Sequence, residues 1–106
     1  MPRNLAILLF DDVEVLDFAG PFEVFSTSRD HNDGQTALFN VYTVAEKAGP
    51  VIARNGLSIN PTHTIDTCPP PDILLVPGGH GTRAVIGNAD LLAWIQRVAA
   101  PAHRQT

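Results

Sequence analysis

Asp72-Ile73-Leu74-Leu75-Val76-Pro77-Gly78-Gly79-His80-Gly81-Thr82 is the stretch whose reading decides the fold. Four consecutive apolar residues, Ile73 to Val76, follow a triple proline and end abruptly at Pro-Gly-Gly. A short run that is apolar on both faces, without alternation, predicts a strand buried in the middle of a parallel sheet. The loop behind it places glycine at 78, 79 and 81, so its backbone can take positive φ and let a ligand approach the amides. In open α/β sheets ligands bind outside the carboxyl ends of the strands, where this loop would lie. A plain strand-to-helix turn explains the glycines equally well.

Upstream, Leu5 to Phe10 reads as a second strand covered on both faces, stopped by Asp11-Asp12. From Val13 to Ser28 the spacing of Val15, Phe18, Phe22 and Phe25 is helical. Gly20-Pro21 interrupts it, and proline is tolerated in a first turn. The regular helix is therefore expected to begin near Pro21, with Leu16 to Gly20 as an irregular entry. Arg29 to Thr36 is a polar surface loop, and Leu38 to Ala45 alternates as a strand. Asn55-Gly56, between Val51–Arg54 and Leu57–Asn60, predicts a small β-ribbon attached to the main sheet, because a type I′ turn needs positive φ at both central positions. Pro61 to Pro71 is too proline-rich for regular structure. Asn88-Ala89-Asp90 offers polar caps for an amphipathic helix carrying Leu91, Leu92, Trp94, Ile95 and Val98, closed by Pro101.

Strand, helix, strand, hairpin, strand, helix is an α/β layout with a largely parallel sheet. A β-α unit normally hands the chain back to a neighbouring parallel strand, and no such strand follows the last helix before Thr106. The expectation is the amino-terminal part of a single domain, residues 1–106, with an apolar sheet edge left beside Ile73 to Val76.

Hydrophobic residues make up 44% of the 106, and charged residues 17%, enough for a core and too apolar for disorder. Net charge is −4 and the seven basic residues are scattered, which argues against nucleic-acid binding through this segment. The single cysteine, Cys68, cannot form an internal disulfide, and no stretch is long enough to cross a membrane. A cytoplasmic protein is expected. Cys68 sits in Asp66-Thr67-Cys68-Pro69-Pro70-Pro71, without a strand before it, a helix after it or a cationic neighbour. That is the wrong setting for a nucleophile, and a structural role is the reading. His31, His63, His80 and His103 show no metal-ligand spacing, so no metal is expected.

Two motifs together carry a family resemblance. Asp11-Asp12-Val13-Glu14-Val15-Leu16-Asp17-Phe18-Ala19-Gly20-Pro21-Phe22-Glu23-Val24-Phe25 resembles the first strand-to-helix segment of ThiJ/PfpI proteins, and Asp72 to Gly81 resembles their mid-sheet motif. The likeness is strongest to the branch holding isonitrile hydratases and the amidotransferase-like sensor domains of AraC-type regulators. It implies a flavodoxin-like sandwich of the class I glutamine amidotransferase type, a homodimer when complete, acting on a small molecule without a metal or organic cofactor. It also implies a nucleophilic cysteine on a strand-to-helix elbow, which would follow Thr106. Asp17 matches the acidic position that points at that cysteine, and in the hydratase branch serves as general acid/base. Taken alone, Asp17 reads first as a helix-start residue complementing the helix dipole. Gly78 and Gly79 match backbone amides lining the site, with the Gly79 N–H the stronger of the two. His80 would reach the rim, unless it is simply a solvated loop histidine. Glu23 reads as an exposed helix carboxylate.

Three functions follow as expectations. The first is isonitrile hydration by the complete protein, this chain alone being inactive for want of a nucleophile. The second is a ligand-sensing domain of an AraC-type regulator. The third, weaker one is a stress-response hydrolase or deglycase-like enzyme of the same family.

Overall fold

Arg3–Leu8 forms β1, and its side chains from Leu5 onward are almost completely shielded from solvent. The computed structural model describes residues 2–78 and 82–99. In chain order, β1 is followed by α1 (Val15–Thr27), β2 (Phe39–Ala45), β3 (Val51–Ile52), β4 (Ser58–Ile59), β5 (His63–Thr64), β6 (Ile73–Leu75), α2 (Thr82–Gly87) and α3 (Ala89–Ala99). The main sheet runs β5-β2-β1-β6, with every neighbouring pair parallel. Arg3 to Leu8 stand opposite Phe39 to Val44, and Leu5 to Ile7 opposite Ile73 to Leu75. The chain thus builds outward from β1 through β2 to β5, then returns to add β6 on the other side. The strand order reverses at β1. In such sheets the crevice beside the carboxyl ends at that reversal is the standard place for a ligand.

The run Leu5–Phe10 is buried as its composition requires, although the strand itself spans Arg3–Leu8. It packs with Val13, Phe18, Tyr42, Val44, Val85, Leu91 and Trp94 in one core. At the opposite end, Asp72 fixes the start of β6. Its Oδ2 accepts the Asn4 N–H at 2.8 Å while its own N–H donates to the Asn4 carbonyl at 2.8 Å.

Four expectations need correction. The first helix does not start near Pro21; α1 is continuous from Val15 and holds Pro21 inside it. Proline has no N–H for the Asp17 carbonyl, but Phe18 in the core and Phe25 edge-on to Phe39, with centroids 5.1 Å apart, hold the helix across that missing bond. The hairpin is present, with Asn55 and Gly56 at φ 68° and 95°, but β3 and β4 form their own two-stranded sheet. It is tied to the β1–α1 loop by the Asp12 N–H on the Ile52 carbonyl at 2.8 Å, not hydrogen-bonded into the main sheet. The supposedly irregular Pro61–Pro71 connection contains β5, which extends β2 at its carboxyl end. There Thr62 N–H donates to Thr43 Oγ1 at 2.9 Å, and two residues of pairing are too short a run for composition to reveal. Finally, Ile73–Leu75 is half-buried rather than fully buried, because β6 lies at one edge of the described sheet, the open side expected beside Ile73 to Val76, and β1 holds an inner place.

The Arg29–Thr36 loop is polar and largely exposed, as expected, and Asp33 closes it by accepting from Gln35 and Thr36. Asn88 caps α3, accepting the Leu91 N–H on Oδ1 at 3.1 Å. The short α2 had no periodic signal to announce it.

Candidate functional site

The loop leaving β1 is bent by Asp12, whose φ of 66° is a left-handed conformation that aspartate tolerates. Val13, fully buried, anchors the bend, and its N–H donates to the Phe10 carbonyl at 3.1 Å. Glu14 then occupies the N-cap of α1, and the Asp17 N–H donates to the Glu14 carbonyl at 3.1 Å. Asp17 therefore stands in the first turn, where a carboxylate complements the positive end of the helix dipole. Its side chain is exposed, and among the described residues no donor bonds its oxygens.

From the other side comes the segment after β6. Pro77 is buried and Gly78 emerges into solvent. The Gly78 carbonyl accepts the Glu14 N–H at 3.1 Å, so the entry of α1 and the glycine loop are directly joined. A Cβ on Gly78 would lie 3.1 Å from Asp17 Oδ2, tighter than ordinary van der Waals contact. The glycine is thus explained by close approach. Positive φ, the other reason to expect glycine, does not apply, since the described glycines with positive φ are Gly34, Gly49 and Gly56. Gly79 and His80 lie outside the described residues.

Asp17 and Gly78 consequently meet at the carboxyl ends of β1 and β6, beside the reversal in strand order where a crevice is expected in such sheets. A second opening, a cavity of about 420 Å³, lies between the carboxyl ends of β1 and β2, bordered by Asp11, Glu46, Lys47 and Asn88. Neither Asp17 nor Gly78 lines it. Glu23 is exposed on α1.

Cys68 is half-buried and unpaired, close to the amino end of β6 and therefore at the far end of that strand from Gly78. A strand, β5, does precede it, contrary to expectation, but the chain then turns, with the Thr67 and Cys68 N–H groups both on the Thr64 carbonyl. Burial pushes its thiol above the usual value, which disfavours the nucleophilic thiolate. No grouping of three metal-ligating side chains occurs among the described residues, and no helix there is long and apolar enough to cross a membrane.

Two residues at the crevice were not singled out by the sequence. Glu14 links Gly78 to Asp17 through its main chain, and Arg54 reaches Glu14 Oε1 with Nη1 at 3.4 Å. Position 54 lies forty residues from position 14, and nothing in spacing or composition relates them.

A parallel sheet with this order of strands, flanked by helices and carrying its crevice at the reversal, defines a flavodoxin-like α/β protein. Residues 3–104 match the DJ-1/PfpI family, and the chain belongs to that family. It is 32% identical over all 106 residues to an isonitrile hydratase from Pseudomonas putida, spanning 43% of that protein's length. Among solved structures it is similar to a ThiJ/PfpI family protein from Pseudomonas syringae, with 32% identity and a TM-score of 0.79, over 94% of this chain and 39% of the other. A proposed transcriptional regulator from Vibrio parahaemolyticus shares the fold, with a TM-score of 0.74 and 18% identity, over 95% of this chain and 53% of the other.

Proposed function

We propose that the chain carries one side of an isonitrile-hydrating site, with Asp17 as the proton carrier and the nucleophile supplied by a cysteine outside these 106 residues. The observation that carries the reading is the approach of Asp17 Oδ2 to Gly78 in the crevice at the strand reversal. Similarity to an isonitrile hydratase across the whole chain supports the choice of reaction.

The chemistry asks for these parts. Hydration of R–N≡C to R–NH–CHO adds oxygen and hydrogen to the terminal carbon and one hydrogen to nitrogen. A thiol adds across that carbon, sulfur forming the new bond and the proton arriving by way of Asp17, to give R–N=CH–S–Cys. Water then adds to the same carbon, Asp17 taking one of its protons and passing it to nitrogen to give R–NH–CH(OH)–S–Cys. The C–S bond then breaks as the carbonyl forms, and the remaining hydroxyl proton goes by way of Asp17 to the departing sulfur, restoring the thiol. An exposed carboxylate that accepts no hydrogen bond among the described residues is suited to hand protons in both directions. The backbone amides of Gly78 and Gly79 would steady negative charge developing during addition, and His80 would close the rim. Cys68 does not serve, since it sits at the wrong end of β6 with its thiol disfavoured as an anion.

The same reading has the complete protein working as a cytoplasmic homodimer on a small isonitrile, without a metal or organic cofactor. The sensor-domain reading gains nothing specific, because a likeness at 18% identity bears on the fold alone. The test is to offer a simple alkyl isonitrile to the protein with its native downstream sequence and follow the formyl proton by NMR. Formamide that appears steadily, and stops when thiols are alkylated, supports the proposal. No formamide above the uncatalysed rate contradicts it.

A further inference from the structure

We infer that Arg54, on the turn of the β3–β4 hairpin, is a positioning residue for the Asp17–Gly78 crevice, acting through Val13 and Glu14. The inference rests on the function proposed above for its kinetic part and on geometry alone for the rest.

Glu14 is the hinge of the crevice. Its N–H holds the Gly78 carbonyl and its carbonyl holds the Asp17 N–H, each at 3.1 Å, so a shift of this one residue separates both partners. Its side chain, however, does not cap α1. An N-cap side chain ordinarily accepts an N–H from the second or third helical residue, and glutamate is a poor substitute for the short residues that do so. Here the carboxylate meets Arg54 instead, with Oε1 3.4 Å from Nη1.

Arg54 grips the same loop a second time through its main chain. Its N–H donates to the carbonyl of Val13 at 3.0 Å, so one residue holds two consecutive residues, one by backbone and one by side chain. The turn that carries it is itself fixed. Ala53 is buried and its N–H bonds the Leu57 carbonyl at 2.7 Å, while Asn55 and Gly56 take the positive φ the turn needs. A further bond, Ile52 N–H to Asp11 Oδ1 at 3.0 Å, ties the hairpin to the beginning of the loop. Both side chains of the ion pair remain about two-fifths exposed, and a pair in that setting contributes little to global stability. Its placement matters instead for where Glu14 stands, and small displacements of catalytic groups are costly in rate.

The experiment compares Arg54→Ala, Arg54→Lys and Glu14→Gln with the wild type in the protein with its native downstream sequence. Arg54→Ala is expected to lower kcat for hydration about ten-fold or more, with KM changed less than about two-fold, while Tm moves by only about 2 °C. Arg54→Lys, which keeps a cation in reach, recovers a large part of the loss. The double variant Arg54→Ala with Glu14→Gln falls no further than Arg54→Ala alone, because both changes break one link. In parallel, hydrogen exchange of the Glu14 amide is followed against the Leu9 amide, which bonds the Val44 carbonyl inside the sheet. Exchange at Glu14 rises about ten-fold in Arg54→Ala while Leu9 is unchanged. An unaltered kcat, equal effects of Lys and Ala, or additive losses in the double variant would overturn the inference. If the wild type hydrates no isonitrile, the functional reading fails, and the exchange measurement decides the inference: faster exchange at Glu14 upholds it, unaltered exchange overturns it.

Discussion

Gly78 and Asp17 illustrate how little room a site residue is given. A methyl group at position 78 would sit 3.1 Å from Asp17 Oδ2, and the carboxylate would have to give way by a few tenths of an ångström. Gly78→Ala is therefore expected to cost about ten- to a hundred-fold in kcat while changing stability by less than about 1 kcal/mol, as read from kinetics and urea denaturation. Tyr42 makes a different prediction. Its O–H donates to the Pro69 carbonyl at 2.6 Å, and burial, followed by the negative potentials of Cys68 and Asp72, pushes its pKa from 10.0 to about 12. The unfolded chain releases this proton first, so the contribution is intact below pH 10 and is lost as pH rises toward about 12. Between those values stability should fall by on the order of 1–2 kcal/mol, and Tyr42→Phe should flatten that decline in pH-dependent denaturation. At this scale the sequence singled out Asp17 only through its surrounding motif, and the positive φ offered for Gly78 is absent, its close approach to Asp17 giving another reason for glycine there. Arg54 was invisible, because its meaning lies in a contact forty positions away.

Among the elements, periodic segments were legible and short ones were not. The Leu91–Val98 pattern and the polar residue before it foretold α3 with its cap, because a 3.6-residue stripe and a side-chain acceptor are both local features. Asn88 does more than cap. Its Nδ2 also donates to Glu46 Oε1 at 2.8 Å, joining α3 to the end of β2. Asn88→Ala should cost about 1–2 kcal/mol by thermal or urea denaturation, and Asn88→Asp, which keeps the acceptor but faces Glu46 with a second carboxylate, less than that. The failures are equally physical. Gly20-Pro21 argued for a late start to α1, yet packing of Phe18 and Phe25 outweighed one missing hydrogen bond. Neither β5 nor α2 is long enough for a period to show.

Over the whole molecule, β1 is the member on which both neighbours and both faces depend. Ile7 is fully buried at its centre, and Ile7→Ala should remove about 2–5 kcal/mol, a large part of the 5–15 kcal/mol typical of a domain. Denaturation midpoints would register it at once. Parallel α/β architecture was readable because unbroken apolar strands demand cover on both faces. The inner place of β1 and the open side of β6 were readable too, whereas the extra strand β5 beyond β2 was not, since two paired residues leave no pattern. The crevice follows from that order of strands, and the central claim is that the carboxylate of Asp17 carries protons there. The direct measurement is kcat for isonitrile hydration by Asp17→Asn against wild type, with folding checked by circular dichroism. A loss of at least about a hundred-fold is predicted from removal of a general acid/base, and turnover within two-fold of wild type would contradict it.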